Sequence, residues 1–149
     1  MKAIYRFDVR MKREHLAEAT EEYSRIVRSS RDVNNLARGL NLHTQPFESM
    51  LAVFLNCRNR VLGYEEVARG GVSSCAVSPA DVFRAALVVP TVLAIVVIHN
   101  HPSGSSAPSD EDVALTARLR EAGKLIGISV MDHLIVSEEG YFSFLDAGI

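Results

Sequence analysis

From Ala3 to Met11 the apolar residues fall on every second position (Ala3, Tyr5, Phe7, Val9, Met11), the period of a half-buried strand. The spacing then changes. Glu14 to Arg28 is rich in helix formers and gathers Leu16, Ala19, Tyr23, Ile26 and Val27 near one stripe, which predicts a helix; Ser30-Arg31-Asp32 caps a second, short one ending at Gly39. Ser49 to Asn56 is almost wholly apolar, and the polar turn Arg58-Asn59-Arg60 leads into a second strand, Val61 to Ala68, so a hairpin is expected, broken at Gly70-Gly71. Ser78-Pro79 places a capping residue before a proline at the first helical position, and Val82, Phe83, Ala86 and Leu87 form the buried stripe of a helix reaching about Val89, stopped by Pro90. Leu93 to Ile98 has the unbroken aliphatic character of a strand covered on both faces. A helix over Asp110 to Ile126 carries Leu115, Leu119, Ala122 and Ile126 on one side, with Gly123 as an interior cost and Gly127 as its stop. Strands Ile128 to Ser137 and Tyr141 to Leu145, joined at Glu138-Glu139-Gly140, close the chain. Hairpins alternating with core helices predict an α/β fold, a mixed β-sheet flanked by helices in three layers.

Composition narrows the class. With 149 residues, 48% hydrophobic and 23% charged, the chain has the size and apolar content of one globular domain. It has no long apolar run of membrane-spanning length, and the polar start MKAIYRFDVRMKREH lacks a signal-peptide core, so the expected address is the cytoplasm. Cys57 and Cys75 have no C-x-x-C spacing and read as small core or half-buried residues, neither a disulfide framework nor a zinc ribbon. The formal net charge of −2, with its basic residues dispersed, argues against a nucleic-acid partner, which needs a dense basic face.

Chemistry concentrates at the end of the central strand, in His99-Asn100-His101-Pro102-Ser103-Gly104 followed by Pro108-Ser109-Asp110-Glu111-Asp112. Histidines at i and i+2 on a strand project from one face and can converge on one ion. Ser109 and Asp112 stand where the next helix begins, which brings a carboxylate back over the loop. Two imidazole nitrogens and one carboxylate oxygen are the usual donor set of a catalytic zinc, with the fourth position left open. Asp112 also fits a capping box with Ser109, in which its carboxylate serves a backbone N–H. Asn100, pointing away from the histidines, reads as a loop-fixing hydrogen bonder. His133, after Asp132 in an apolar strand, reads as core or a partner behind the ligands, and His43 has no assigned role.

The spacing H-x-H, seven residues, S, two residues, D resembles the JAMM motif of MPN-type metallopeptidases, and HNHPSG and DHLIV are more narrowly similar to the RadC branch, from about Asn41 to Phe144. The resemblance implies an MPN/JAMM-like, cytidine-deaminase-like three-layer fold over residues 41–149. It implies one zinc ion per chain on His99, His101 and Asp112, with Ser109 polarising the scissile carbonyl and an upstream glutamate handling the proton of the attacking water. Glu48, immediately before an apolar strand, matches that glutamate; Glu65 and Glu66, one strand further on, match less well. RadC relatives commonly carry a helix-hairpin-helix segment ahead of this domain. Residues 1–40 show no such glycine-bearing hairpin and read as a strand and helices packed as an extension, structural or interactive.

Two function classes follow. The first is a zinc-dependent metallopeptidase or isopeptidase, with a peptide or isopeptide as its partner. The second is a non-catalytic MPN-like accessory or scaffold module associated with DNA repair. A zinc deaminase would show H-x-E with P-C-x-x-C, and the chain has neither.

Overall fold

The computed structural model describes residues 26–70 and 77–149. The alternating segment 3–11, most of the helix expected over 14–28, and Cys75 lie outside the described residues. In chain order the elements are α1 (Ser30–Gly39), β1 (Ser49–Leu55), β2 (Val61–Arg69), α2 (Pro79–Val88), β3 (Ala94–Asn100), α3 (Asp110–Ile126), β4 (Ser129–Val136), β5 (Tyr141–Ser143) and α4 (Phe144–Ala147). The strands form one mixed sheet in the order β2-β1-β3-β4-β5. β1 is antiparallel to both β2 and β3, β3 and β4 run parallel across the α3 crossover, and β5 returns antiparallel to β4.

β1 and β3 are buried at every position because the sheet is covered on both sides. Strand alternation sorts their side chains into two cores. Met50, Ala52, Phe54, Ile95 and Val97 pack with Phe83 of α2 and Leu115 and Leu119 of α3. Leu51, Val53, Leu55, Val96 and Ile98 pack with Val33 and Ala37 of α1 and with Leu134 and Val136. The result is the expected three-layer sandwich, a mixed sheet flanked by helices, and each side chain at the end of β3 inherits its layer from this alternation. No helix among the described residues is long and apolar enough to cross a membrane.

Three local expectations are corrected. Residues 26–28 do not continue a helix: Ile26 forms a β-bridge with Arg60, and the Val27 N–H donates to the Asn59 carbonyl at 2.9 Å while the side chain enters the α1-side core. Two β-branched residues gain more there from pairing and burial than from helix propensity. The last strand stops at Ser143. The Leu145 N–H donates to Asp132 Oδ1 at 2.9 Å and Ser143 Oγ accepts from the Asp146 N–H at 3.0 Å, which turns the chain into α4. Cys57 is exposed in the β1–β2 turn, not in the core.

Gly123 is more than a propensity cost. A Cβ built there would lie 2.5 Å from the Ile128 carbonyl oxygen and 3.3 Å from Phe83, so the chain turns this tightly out of α3, and α2 packs this close, because there is no side chain at that point. Gly123→Ala gains roughly 1 kcal/mol of helix propensity, but overpacking against backbone costs about 1–3 kcal/mol. A net loss of stability is expected, read as a lower urea midpoint with an unchanged slope; an unchanged or higher midpoint would show that the contact yields.

Candidate metal centre

β3 carries His99 on the same face as Ile95 and Val97, toward α3. The ladder does not end with the strand: the His101 N–H donates to the Val136 carbonyl at 3.0 Å, which keeps the backbone extended and His101 in phase with His99. Their Nε2 atoms stand 2.9 Å apart. His99 is wholly buried and His101 is partly open, its side chain 14% exposed, so the site has one accessible side.

The loop after His101 folds back at Gly104, whose φ of 90° suits glycine and whose N–H donates to the His101 carbonyl at 3.1 Å. The His101 Nδ1 lies 2.9 Å from the Ser105 carbonyl oxygen. A carbonyl can only accept, so Nδ1 carries the hydrogen and Nε2 presents a lone pair. The chain then enters α3 through a capping box. Asp112 Oδ2 accepts from the Ser109 N–H at 2.8 Å and from the Ser109 hydroxyl at 2.7 Å, while Ser109 Oγ accepts from the Asp112 N–H at 3.1 Å. The other oxygen, Oδ1, lies 3.2 Å from His99 Nε2. One carboxylate therefore serves both roles: Oδ2 makes the cap and lies 3.6 Å from His101 Nε2, and the capping box leaves Oδ1 facing His99.

Behind His99, its Nδ1 lies 2.8 Å from Nε2 of the buried His133. His133 Nδ1 lies 2.6 Å from Thr116 Oγ1, one helical turn after Asp112, and His133 stacks on Phe144 with an interplanar angle of 9°. His133 is not among the converging groups. His43 stands apart, on the wall of a cleft of about 420 Å³ that opens beside His101 and is bounded by Gln45, Pro46, Ser103, Glu138 and Glu139.

Glu48 reaches this end of the sheet because β1 runs antiparallel to β3, so the start of one strand meets the end of the other. Met50 pairs with His99, and continuing that register by two residues sets Glu48 across from His101 on the same face. Asn100, on the opposite face, pins this approach: its Oδ1 accepts from the Ser49 N–H at 2.7 Å and its Nδ2 donates to the carbonyls of Phe47 at 3.0 Å and Gln45 at 3.3 Å. Both neighbours of Glu48 are thus tied to the residue between the two histidines. Glu65 and Glu66 lie on β2, with β1 interposed between them and β3. The Glu66 carboxylate is further engaged by the Arg69 guanidinium in two bonds of 2.8 Å.

Electrostatics follow from this crowding. The hydrogen bond that a protonated His101 would give to Asp112 raises its pKa against the opposing effect of burial, with the Ser105 carbonyl and the charges of Asp112 and Glu48 adding to it. Burial pushes the Asp112 carboxyl up, but the His101 and His99 imidazoles facing it outweigh that and hold it well below the usual carboxylate range. Burial, and then the neighbouring His99, push His133 well below an ordinary histidine.

Among the described residues, His99, His101 and Asp112 form a group whose ligand atoms all lie within 4.8 Å of one another and which could hold a metal ion. The donor set fits zinc. Zinc bonds to histidine nitrogen and carboxylate oxygen at about 2.0–2.2 Å, which for tetrahedral angles separates neighbouring donors by about 3.3 Å; the two Nε2 atoms stand 2.9 Å apart, and the carboxylate approaches His99 Nε2 to 3.2 Å through Oδ1 and His101 Nε2 to 3.6 Å through Oδ2, all near that value.

Sequence reasoning did not find three parts of the centre: the Thr116–His133 pair behind His99, the Ser105 carbonyl behind His101, and the use of Asn100 to hold the Glu48 segment. Thr116 sits one turn after Asp112, the only trace of the first in sequence; the other two depend on loop closure and cross-strand register. Ser109 is placed differently from a residue aimed at substrate, because its hydroxyl and its N–H both point to Asp112 Oδ2.

A family model described as the RadC-like JAB domain matches residues 27–149. A UPF0758 protein of Syntrophotalea carbinolica is 42% identical over 102 residues, covering 68% of this chain and 44% of that protein. UPF0758 proteins of Methanosarcina mazei and Methanosarcina barkeri are 36% and 38% identical over 128 residues, each alignment covering 86% of this chain and 55% of the relative. The chain thus spans about half the length of the curated relatives it matches. Motif, three-layer sheet and the match over residues 27–149 agree, and the chain belongs to the RadC family, as a RadC-like JAB domain.

Proposed function

We propose that this domain is a zinc-dependent hydrolase that cleaves an amide bond, in a peptide or an isopeptide. The observation that carries the reading is the convergence of His99 Nε2, His101 Nε2 and the Asp112 carboxylate at the end of β3, where the partly open His101 also lines a cleft. Two ring nitrogens 2.9 Å apart beside a buried carboxylate can, in the neutral rings, turn their lone pairs to one ion. Three protein donors with an open side fit a catalytic site better than a structural one, which would close all four positions with protein.

A zinc ion held there would acidify a water and polarise the scissile carbonyl. The chain's own residues do the rest. Glu48, across from His101, takes the proton of the attacking water as its oxygen bonds to the carbonyl carbon, then delivers that proton to the leaving nitrogen as the C–N bond breaks, giving a carboxylate and an amine. Ser109 holds Asp112 in place through the capping box; its hydroxyl, turning from Oδ2 to the substrate, is the proposed donor to the developing oxyanion. Asn100 fixes the backbone on both sides of Glu48, so that the base is held by the same strand that carries the ligands. The cleft beside His101 gives an extended peptide segment a place to lie.

Purified protein stripped with a chelator and reconstituted with zinc, offered fluorogenic peptides and a lysine-isopeptide substrate, is expected to hydrolyse at least one of them only when zinc is restored. Zinc-loaded protein inert toward every amide would favour the accessory-module reading.

A further inference from the structure

The hydrogen bonds behind His99 can be assigned one by one from a fixed end. The Asp112 main-chain carbonyl accepts only, and Thr116 Oγ1 lies 2.6 Å from it, so the threonine hydrogen goes there. Thr116 Oγ1 must then accept from His133, 2.6 Å away, which places a hydrogen on His133 Nδ1. A neutral imidazole carries one hydrogen, so His133 Nε2 is an acceptor, and the His99 Nδ1 at 2.8 Å must donate to it. That leaves His99 Nε2 with its lone pair toward His101 and Asp112. All four groups are buried, so no solvent competes with this order.

We infer that His133 and Thr116 are positioning residues that lock His99 in the Nδ1–H tautomer, keeping Nε2 ready for a metal. Most histidine ligands are oriented by a carboxylate, a backbone carbonyl or water; here a second histidine serves, and its own direction is set by a hydroxyl bonded to the carbonyl of the residue bearing the third donor. One helix turn, Asp112 to Thr116, thus supplies a donor to the site and sets the tautomer of another. The inference rests on the metal-site reading for its purpose and not for its test.

The test uses metal-free protein labelled with ¹⁵N at histidine. Long-range ¹H–¹⁵N correlation spectra at alkaline pH should show the hydrogen of His99 on Nδ1. Thr116→Val keeps the shape and removes the acceptor; it should move His99 toward the Nε2–H form and lower zinc affinity, measured by competition with a chromophoric chelator, by about 10- to 100-fold. Thr116→Ser should restore both. A threonine that merely fills space would change stability without moving the tautomer. Finding Nε2–H on His99 in the wild type overturns the inference outright, whatever the variants do, and so does a folded Thr116→Val protein with wild-type tautomer and affinity. Because the tautomer is read without metal or substrate, a protein that hydrolyses no amide would count against the hydrolase reading while leaving this one standing.

Discussion

Glu48→Gln is expected to bind zinc at the wild-type level, one ion per chain, while slowing amide hydrolysis by about 10²- to 10⁴-fold, the usual share of general acid–base catalysis. The substitution keeps the side chain's length and a hydrogen-bonding oxygen, and the Asn100 bonds that hold this segment go to the backbone of Gln45, Phe47 and Ser49, so they survive. The ability to take a proton is lost, and with it the charge that acts on His101. Metal analysis and steady-state rates on the same preparation separate the outcomes. Loss of zinc would make Glu48 a ligand, and full activity would hand the base role to another group.

His101→Ala should lose zinc by more than the roughly 10- to 100-fold that a missing outer partner costs, and with it the hydrolysis, yet keep its far-UV circular dichroism. The reason lies in where His101 sits. It follows β3, partly open to solvent, and belongs to neither of the two apolar cores that hold α1, α2 and α3 on the sheet. Removing it also relieves the close approach of two imidazoles and a carboxylate. An unfolded variant would mean that the metal is a structural element of the domain.

Much of this was legible in the sequence where local patterning and tertiary packing agree. The bounds of α3 follow from a serine cap, an acidic first turn and Gly127, and they stand from Asp110 to Ile126. The aliphatic run of β3 announced burial on both faces, and the i, i+2 histidines their common face. The errors fall where one short stretch serves two demands. Ile26 and Val27 carry a helix-like stripe but pair with the β1–β2 turn, a partner more than thirty positions away that no local pattern reveals. Tyr141 to Leu145 has strand composition, but the buried Asp132 carboxylate captures the Leu145 N–H and the Ser143 hydroxyl and ends the strand early. Asp112 offered both a cap and a metal ligand, and no spacing could show that Oδ2 makes the cap while Oδ1 is left facing His99. His133 read as core or as a partner behind the ligands from its strand alone; that it pairs with Thr116 depends on how α3 packs against β4, which no local pattern reveals.

The claim that the end of β3 holds a catalytic zinc is met most directly by a zinc-edge anomalous difference map from crystals grown with zinc. One strong peak per chain is expected within bonding distance of His99 Nε2, His101 Nε2 and the Asp112 carboxylate, with the Glu48 carboxylate beyond bonding reach. A peak ligated by Glu48, a peak elsewhere in the domain, or none at this site would contradict it.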